Sequence, residues 1–241
     1  MARRDFPLRR QVRDGLIRTY PERWAARIGC TGLYLHYLIE IARWLHANDN
    51  GRPLPVCRGA DARTALFGHL LTVQSLADKP IEYLEFGVHE GASFRWWSEH
   101  NVNPHSRFTG FDTFEGLPED WDAGAKSIGA FSTAGRLPEI DDPRCVFEVG
   151  LFQHTLGPFL ARSEWDRRLV LMFDADLYSS TLFALIMLAP RLRANDVVIF
   201  DEFRDVRNEF RAFRDFEKAC PVRLDCVASV RRGMQVAMIV R

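Results

Sequence analysis

The chain has 241 residues, of which 47% are hydrophobic and 27% are charged, a composition typical of one large globular domain. Lys plus Arg and Asp plus Glu number 32 each, so the formal net charge is zero. This balance argues against a protein whose affinity comes from neutralising nucleic-acid phosphates, and no nucleic-acid partner is expected.

The N-terminal sequence carries no recognisable targeting signal. MARRDFPLRRQVRDG is basic but lacks the apolar segment of a signal peptide. The longest apolar stretch, GLYLHYLIEIARWLHA, is interrupted by His36, Glu40 and Arg43, so it is not expected to span a membrane. The five cysteines form no C-x-x-C pair and predict neither a zinc site nor a disulfide framework. We therefore expect a soluble, cytoplasmic protein.

Residues 1–80 are predicted to form a helical N-terminal extension that caps the acceptor side of the site. Apolar residues from Tyr34 to Leu45 approximate a helical stripe, and ARTALFGHLLTVQSLA gives a second one. Between them, NDNGRPLP has the composition of a turn. The first stripe is expected to lie in the core or in a subunit contact.

From residue 81 to residue 241 the pattern changes to alternating strands and helices. Strands are predicted at IEYLEFGV, RFTGFDTF, RCVFEVG, RLVLMFDAD and DVVIFDEF, and two more, RLDCVASV and MQVAMIV, form a terminal hairpin. Short apolar runs alternating with helices are typical of a parallel sheet covered on both faces. We predict a doubly wound α/β fold with a mostly parallel, seven-stranded sheet, which binds ligands outside the carboxyl ends of its strands.

The polar segment from Glu115 to about Asp141 is unusually long for a connection. Loops of this length are uncommon unless they are functional or disordered. Trp121 and Phe131 are candidates to shield a reacting centre as parts of a lid, and a flexible insertion is the alternative.

The end of the first predicted strand combines an acid with glycines. Glu85 and Gly87 close the strand, Gly91 opens the next helix and Ser93 lies in its first turn. Glycine allows a close backbone approach, and a helix N-terminus presents free N–H groups. The spacing is not the G-x-G-x-x-G of a dinucleotide site, which favours a ligand with a carboxylate and an amine.

The next two strand ends suggest a nucleoside. Asp112 closes the second strand and is placed to accept hydrogen bonds from ribose hydroxyls. The third strand ends at Gly150, which is a plausible wall for the base. Each glycine taken alone is better explained by a turn, whereas an acid at each of five successive strand ends points to a ligand site.

Four acids follow the fourth and fifth strands. Asp174 and Asp176 follow LVLMF, while Asp201 and Glu202 follow VVIF. Carboxylates that converge there repel one another unless a cation intervenes, and a set of oxygen ligands suits Mg²⁺ or Mn²⁺. Asp176 is then left as a base or a substrate ligand. The alternative is that these acids are helix N-caps, or surface ion pairs with Arg191, Arg204 or Arg207.

Five segments together resemble one enzyme family. EFGVHEG, GFDTFEGLPE, GLFQHTL, FDADLYSST and IFDEF are similar to segments of the macrocin-type sugar O-methyltransferases, which include the mycinamicin and novobiocin enzymes. The resemblance covers about residues 81–215, and FDTFEGLPE and D-x-D-L-Y-x-S-T are its specific parts. It implies a class I methyltransferase fold for residues 81–241, dependence on S-adenosylmethionine and Mg²⁺, and a homodimer.

The resemblance also implies roles for the strand-end residues. Glu85, Gly87 and Gly91 would hold the methionine portion of the cofactor and Asp112 its ribose, with Ser93 in the same site.

By the same resemblance, Asp174, Asp201 and Glu202 would bind the metal and Asp176 would be the general base. The family pattern has two aspartates after the fifth strand, so Glu202 predicts an altered metal geometry.

These roles predict methyl transfer to a hydroxyl of a sugar-bearing or phenolic small molecule. Two alternatives stay open at this point. One is a cofactor-binding scaffold that has lost its chemistry through Glu202, and the other is an oxidoreductase on a related sheet.

Overall fold

A computed structural model describes residues 23–48, 61–121 and 126–241. The basic N-terminal stretch, the predicted turn after Asn48 and Cys57 lie outside these ranges. None of the helices within them combines the length and the apolar character needed to cross a membrane.

The described chain alternates helices and strands in the predicted order. The helices are α1 Arg23–Asn48, α2 Ala62–Val73, α3 Ala92–His100, α4 Phe152–Arg162, α5 Tyr178–Leu188 and α6 Glu209–Ala219, with a 3₁₀ turn at Ala189–Arg191. The strands are β1 Ile81–Phe86, β2 Arg107–Asp112, β3 Cys145–Val149, β4 Arg168–Phe173, β5 Val197–Phe200, β6 Leu224–Val230 and β7 Gln235–Val240.

These seven strands form one sheet in the order β3-β2-β1-β4-β5-β7-β6. The first five are parallel, and β7 pairs antiparallel with both β5 and β6. The prediction of a doubly wound, mostly parallel sheet with a terminal hairpin is confirmed. The connections reverse direction between β1 and β4, and sheets of this kind open a ligand crevice at such a point.

A row of four phenylalanines fixes the register of the central strands. Phe86 of β1 lies opposite Phe111 of β2 and Phe173 of β4, and Phe173 lies opposite Phe200 of β5. Neighbouring ring centroids are 4.9, 5.2 and 5.4 Å apart, and the rings are nearly parallel. All four side chains are fully buried. Every ring in this phenylalanine row belongs to the last or next-to-last residue of its strand, so the row lies directly beneath the residues that follow.

Helix α2 packs against the sheet on the opposite face from this row. Leu66, Phe67 and Leu70 are buried in a cluster that contains Tyr83 and Trp97. The Asp61 side chain caps the helix by accepting a hydrogen bond from the backbone N–H of Arg63. The cap and the packed face together fix the position of the first turn, which carries Arg63.

Glu82, near the start of β1, is a buried carboxyl far from the ligand crevice. Its side chain is 3% exposed and lies 3.8 Å from the Arg167 guanidinium. Burial raises the pKa of Glu82 from 4.5 to about 7, although Arg107 and Arg167 oppose the shift. Because the folded-state pKa is the higher one, the contribution of this group to stability is present below pH 4.5 and is lost as the pH rises through 7.

We compare the free energy of unfolding of Glu82→Gln with that of wild type at two pH values. The difference, variant minus wild type, should be about 1–3 kcal/mol more positive at pH 8 than at pH 5. Urea unfolding at the two pH values measures this difference. Glu164→Gln, on the exposed surface, is the control and should show no such pH-dependent difference. An equal offset at both pH values would mean that Glu82 titrates like an exposed carboxyl.

Candidate functional site

A cavity of about 340 Å³ opens at the carboxyl ends of β1, β2, β4 and β5. Its wall includes most of the residues that the sequence singled out. From that set it contains Glu85, Gly87, Ser93, Asp112, Asp174, Asp176, Asp201 and Glu202, together with Trp121 and Phe131 of the long loop. Gly91 and Gly150 do not line it, although their neighbours Ala92 and Leu151 do.

Glu85 is a fully buried carboxyl in the cavity wall. Its side chain accepts a hydrogen bond from the Tyr83 hydroxyl. Burial raises the pKa of Glu85 to about 8, while the Tyr83 hydrogen bond and Arg63 oppose the shift. A cationic ligand group placed beside it would favour its ionised form, which suits the ammonium of an amino acid.

Gly87 lies where the chain leaves β1 and passes against the end of β4. Its φ is 89°, in the left-handed region that favours glycine. A Cβ atom there would overlap the carbonyl oxygen of Asp174 and would lie 2.7 Å from its carbonyl carbon. Only glycine allows β1 and β4 to approach this closely at the floor of the cavity.

Asp112 organises the loops around the cavity. One of its carboxylate oxygens accepts hydrogen bonds from the backbone N–H groups of Val88 and His89, at 2.7 and 2.8 Å. The other accepts from Phe114 N–H at 2.8 Å. Asp112 therefore holds the loop after β1, a role that the sequence did not predict, and it still lines the cavity.

Gly91 and Gly150 shape turns. Gly91 is the N-cap of α3 and has a φ of 77°. Its backbone N–H donates a hydrogen bond to the Val88 carbonyl. Gly150 follows β3, and its N–H donates to the Asp112 carbonyl.

The positive group next to the acidic strand ends is Arg63 of α2. One guanidinium nitrogen donates to Oδ2 of Asp174 at 2.9 Å and to Oγ of Ser93 at 3.1 Å. The other donates to Oδ2 of Asp201. Burial raises the pKa values of both carboxyls, repulsion by Asp201 adds to the shift of Asp174, and Arg63 opposes the shift of each. Asp174 and Asp201 therefore pair with Arg63 among the described residues, and the suggested pairing with Arg191, Arg204 or Arg207 is wrong for these two acids.

Asp176 has a different environment from Asp174. Its φ is 60°, an uncommon value for a residue other than glycine. Its carboxylate lines the cavity and accepts no hydrogen bond from any residue in the described ranges. Burial, with Glu202 and Asp201 nearby, raises the pKa of Asp176 to about 7. The N-cap of α5 is Leu177, so the suggested capping role of Asp176 is wrong.

Glu209, in the first turn of α6, lies behind the acids that follow β5 and is hydrogen-bonded to their backbone. It is fully buried, and one of its carboxylate oxygens accepts a hydrogen bond from the Glu202 backbone N–H at 2.9 Å. The other oxygen has no hydrogen-bond partner among the described residues. Burial first, and then the charges of Asp201 and Asp174, raise the pKa of Glu209 well above its ordinary value.

The described side chains do not fit the divalent cation site expected from the sequence. Two carboxylate oxygens that would bind the cation, one on Asp174 and one on Asp201, are hydrogen-bonded to Arg63. Across the described residues, no group of three or more His, Cys, Asp or Glu side chains is arranged to hold a metal ion.

The long loop after β2 lies over the cavity and is tied down on its far side. The indole N–H of Trp121 donates to Asp205, beyond β5, at 3.0 Å. The Ser179 hydroxyl, at the start of α5, donates to Glu119. Phe131 lies 6.3 Å from the Trp121 ring. The loop therefore bridges the crevice, while the predicted lid movement stays a prediction.

Two residues of the site were missed by sequence reasoning. Arg63 lies in a helical segment whose apolar stripe predicts packing against the core. No feature of the neighbouring sequence distinguishes this arginine from an ordinary surface residue. Glu209 follows a polar turn and looks like an ordinary acid in the first turn of a helix, where such residues are common. Only the three-dimensional fold brings either residue to the acidic strand ends.

Comparisons with known proteins agree with the architecture. The macrocin-O-methyltransferase (TylF) family model matches residues 77–228. Comparison with curated protein sequences finds no match.

Several solved structures have similar folds. The calicheamicin methyltransferase CalS11 is 24% identical, with a TM-score of 0.55 over 73% of this chain and 76% of that one. Its apo structure, described as a TDP-rhamnose 3'-O-methyltransferase, is 26% identical, with a TM-score of 0.50 over 73% and 78%. The O-methyltransferase NovP is 20% identical, with a TM-score of 0.50 over 74% and 76%. A Mg–SAM structure of CmcI is 18% identical, with a TM-score of 0.50 over 77% and 76%.

Proposed function

Because the chain belongs to the macrocin-O-methyltransferase family and is an S-adenosylmethionine-dependent O-methyltransferase, we propose that it methylates a hydroxyl group of a sugar-bearing small molecule. The observation that carries the proposal is the Asp176 carboxylate, which lies in the same cavity as the candidate cofactor residues and has no hydrogen-bond partner among the described residues. The similarity to CalS11, described as acting on TDP-rhamnose, supports a sugar as the acceptor. Family membership also sets aside the oxidoreductase alternative.

The cofactor is proposed to lie along the ends of β1 and β2. Glu85 would bind its ammonium group, and Gly87 leaves room for the methionine backbone. Ser93 and the first turn of α3, opened by Gly91, would face its carboxylate. Asp112 and the residues after Gly150 would bound the nucleoside. When bound, S-adenosylmethionine supplies a methyl group whose C–S bond breaks, with the electron pair staying on sulfur, as the new C–O bond forms.

The protein's part in the reaction is alignment and proton removal. A carboxylate within reach of the acceptor hydroxyl takes its proton as the oxygen attacks, and Asp176 is proposed for this role. The cavity walls hold donor and acceptor in line, which removes much of the entropic cost of the reaction. The elevated pKa of Asp176 makes it a better proton acceptor than an exposed aspartate.

Magnesium assistance, the finer expectation from the sequence, has less support. CmcI is described with Mg and SAM, but at this level of identity the similarity concerns the fold. In this chain Arg63 is hydrogen-bonded to one carboxylate oxygen of Asp174 and to one of Asp201.

The acceptor class is tested by incubating the protein and S-adenosylmethionine with three groups of compounds. These are nucleoside-diphosphate deoxysugars, glycosylated phenolics and simple catechols, with S-adenosylhomocysteine and the mass gain of the acceptor measured by mass spectrometry. We expect turnover of the sugar-bearing groups. Methylation of catechols alone would replace the sugar proposal with a phenolic one. Tight S-adenosylhomocysteine binding without turnover of any compound would favour the scaffold alternative.

The hydrogen bond from Trp121 to Asp205 is proposed to hold the long loop over the acceptor. Trp121→Phe keeps an aromatic ring but removes the N–H donor, so we expect the acceptor KM to rise roughly tenfold. S-adenosylhomocysteine affinity should stay within about twofold. Trp96→Phe, the same change on α3 outside the cavity wall, is the matched control. Equal kinetic effects of the two substitutions would argue against a role for the loop.

We also propose a homodimer and a cytoplasmic location. A homodimer is supported by exposed apolar side chains on α1, among them Leu35 and Ile39, which are 52% exposed each. A cytoplasmic location is supported by Cys30, Cys145 and Cys220, which are free thiols.

A further inference from the structure

We infer that Arg63 is the built-in cation of this active site and takes the place of the divalent metal between Asp174 and Asp201. The two carboxylates belong to adjacent parallel strands, β4 and β5, and they converge on one guanidinium. The inference concerns the charge of the site and does not depend on which acceptor is methylated.

The guanidinium is well suited to this position. It is planar, it is always charged, and its separate nitrogens can serve two acceptors at once. In this site one nitrogen reaches Asp174 and Ser93, and the other reaches Asp201. Burial alone would lower the pKa of Arg63, but Asp174 and Asp201 reverse this effect and raise it. The positive charge is therefore permanent at any pH at which the protein is folded.

Charge balance also requires a cation at this point. Arg63 is the one arginine or lysine in the described part of the cavity wall, which carries the acids Glu85, Glu90, Asp112, Asp174, Asp176, Asp201 and Glu202. Without Arg63, the negative charges of Asp174 and Asp201 would be buried without a neighbouring positive charge, which is energetically unfavourable. The protein thus supplies internally one positive charge at the place where a divalent metal would bring two.

Arg63 comes from outside the region that defines the family. The family match begins at residue 77, whereas Arg63 lies in the first turn of α2. Its position depends on the Asp61 cap and on the packing of Leu66 and Phe67 against the sheet. Helix α2, which precedes the matched region, therefore contributes a charged side chain to the site.

The test measures binding of Mn²⁺ by electron paramagnetic resonance, and the thermal shift with Mg²⁺, on metal-free protein. We expect no saturable Mn²⁺ binding at this site in wild type, and no effect of EDTA on S-adenosylhomocysteine affinity. Arg63→Ser should bind Mn²⁺ at least about tenfold more tightly than wild type, because it leaves two carboxylates without their cation. Mg²⁺ should raise the Tm of this variant but not that of wild type.

Three further variants make the result specific. Adding Asp174→Asn to Arg63→Ser should abolish the new Mn²⁺ binding. Arg63→Lys, which keeps the charge, should bind metal no better than wild type. Arg43→Ser removes an exposed arginine from Glu40 and should create no site.

Two results would overturn the inference. Saturable Mn²⁺ binding to wild type that Asp174→Asn removes would mean that a metal displaces Arg63, and this measurement needs no folded Arg63 variant. A folded Arg63→Ser protein that gains no metal affinity but loses S-adenosylhomocysteine binding would make Arg63 a ligand of the cofactor carboxylate. Both readouts are binding measurements, so they remain separate from failure to find the right acceptor.

Discussion

Replacing Asp176 with Asn is expected to lower kcat by about 10²–10⁴-fold, the usual contribution of a general base. The amide cannot accept the proton, yet it matches the carboxylate in size. Asparagine also tolerates the left-handed backbone that Asp176 adopts at a φ of 60°, so the fold should survive. Single-turnover assays with a sugar acceptor measure the chemical step, and calorimetry with S-adenosylhomocysteine checks that the cofactor site is intact.

The control for this substitution is Asp166→Asn, which changes an aspartate of the surface that is paired with Arg167. Its kcat should equal that of wild type. If Asp176→Asn retained full turnover, another group would have to remove the proton and the base assignment would be withdrawn. A parallel loss of cofactor binding would instead show that Asp176 supports the shape of the cavity.

Gly87→Ala is expected to destabilise the protein by roughly 3–5 kcal/mol, or to prevent its folding. The added Cβ would overlap the Asp174 carbonyl, and both parts of the clash are backbone, so no side chain can turn away. The positive φ of Gly87 adds strain of its own. Because the backbone of Asp174 must move, any variant that folds should also bind S-adenosylhomocysteine more weakly.

Gly68→Ala is the matched control for this prediction. Gly68 lies within α2, and a Cβ atom there would have no heavy atom within 4 Å. In a helix interior the change should stabilise the protein by about 0.5–1 kcal/mol. Urea unfolding of the two variants therefore should give shifts of opposite sign. A Gly87→Ala protein as stable as wild type would contradict the close packing of β1 against β4.

Much of the fold could be predicted because its signals are local. Each of the five parallel strands is a short apolar run, and the strand ends carry the acids and glycines that line the crevice. The spacing of these runs was enough to predict the sheet and to identify Glu85, Asp174 and Asp176 as neighbours of one cavity.

The rest depends on contacts between distant parts of the chain. The Asp112 side chain is directed to the backbone of Val88 and His89, a geometry set by how two loops meet. Arg63 reaches its acids from a separate helix, and neither its sequence context nor its spacing reveals the pairing. The pattern of one sequence reveals periodicity along the chain. The contacts of Asp112 and Arg63 depend instead on which helices and loops the fold brings together.

The phenylalanine row gives the site electrostatic preorganisation. Gly87, Asp174 and Asp201 each follow directly after one ring of the row, and each donates a backbone hydrogen bond to the carbonyl of a neighbouring ring residue. The backbone dipoles and carboxylates of the crevice are thus fixed to the tightly packed phenylalanine row rather than to independent loops. Groups held in this way need little reorganisation as the proton moves from the acceptor oxygen to the carboxylate, because folding has already oriented them.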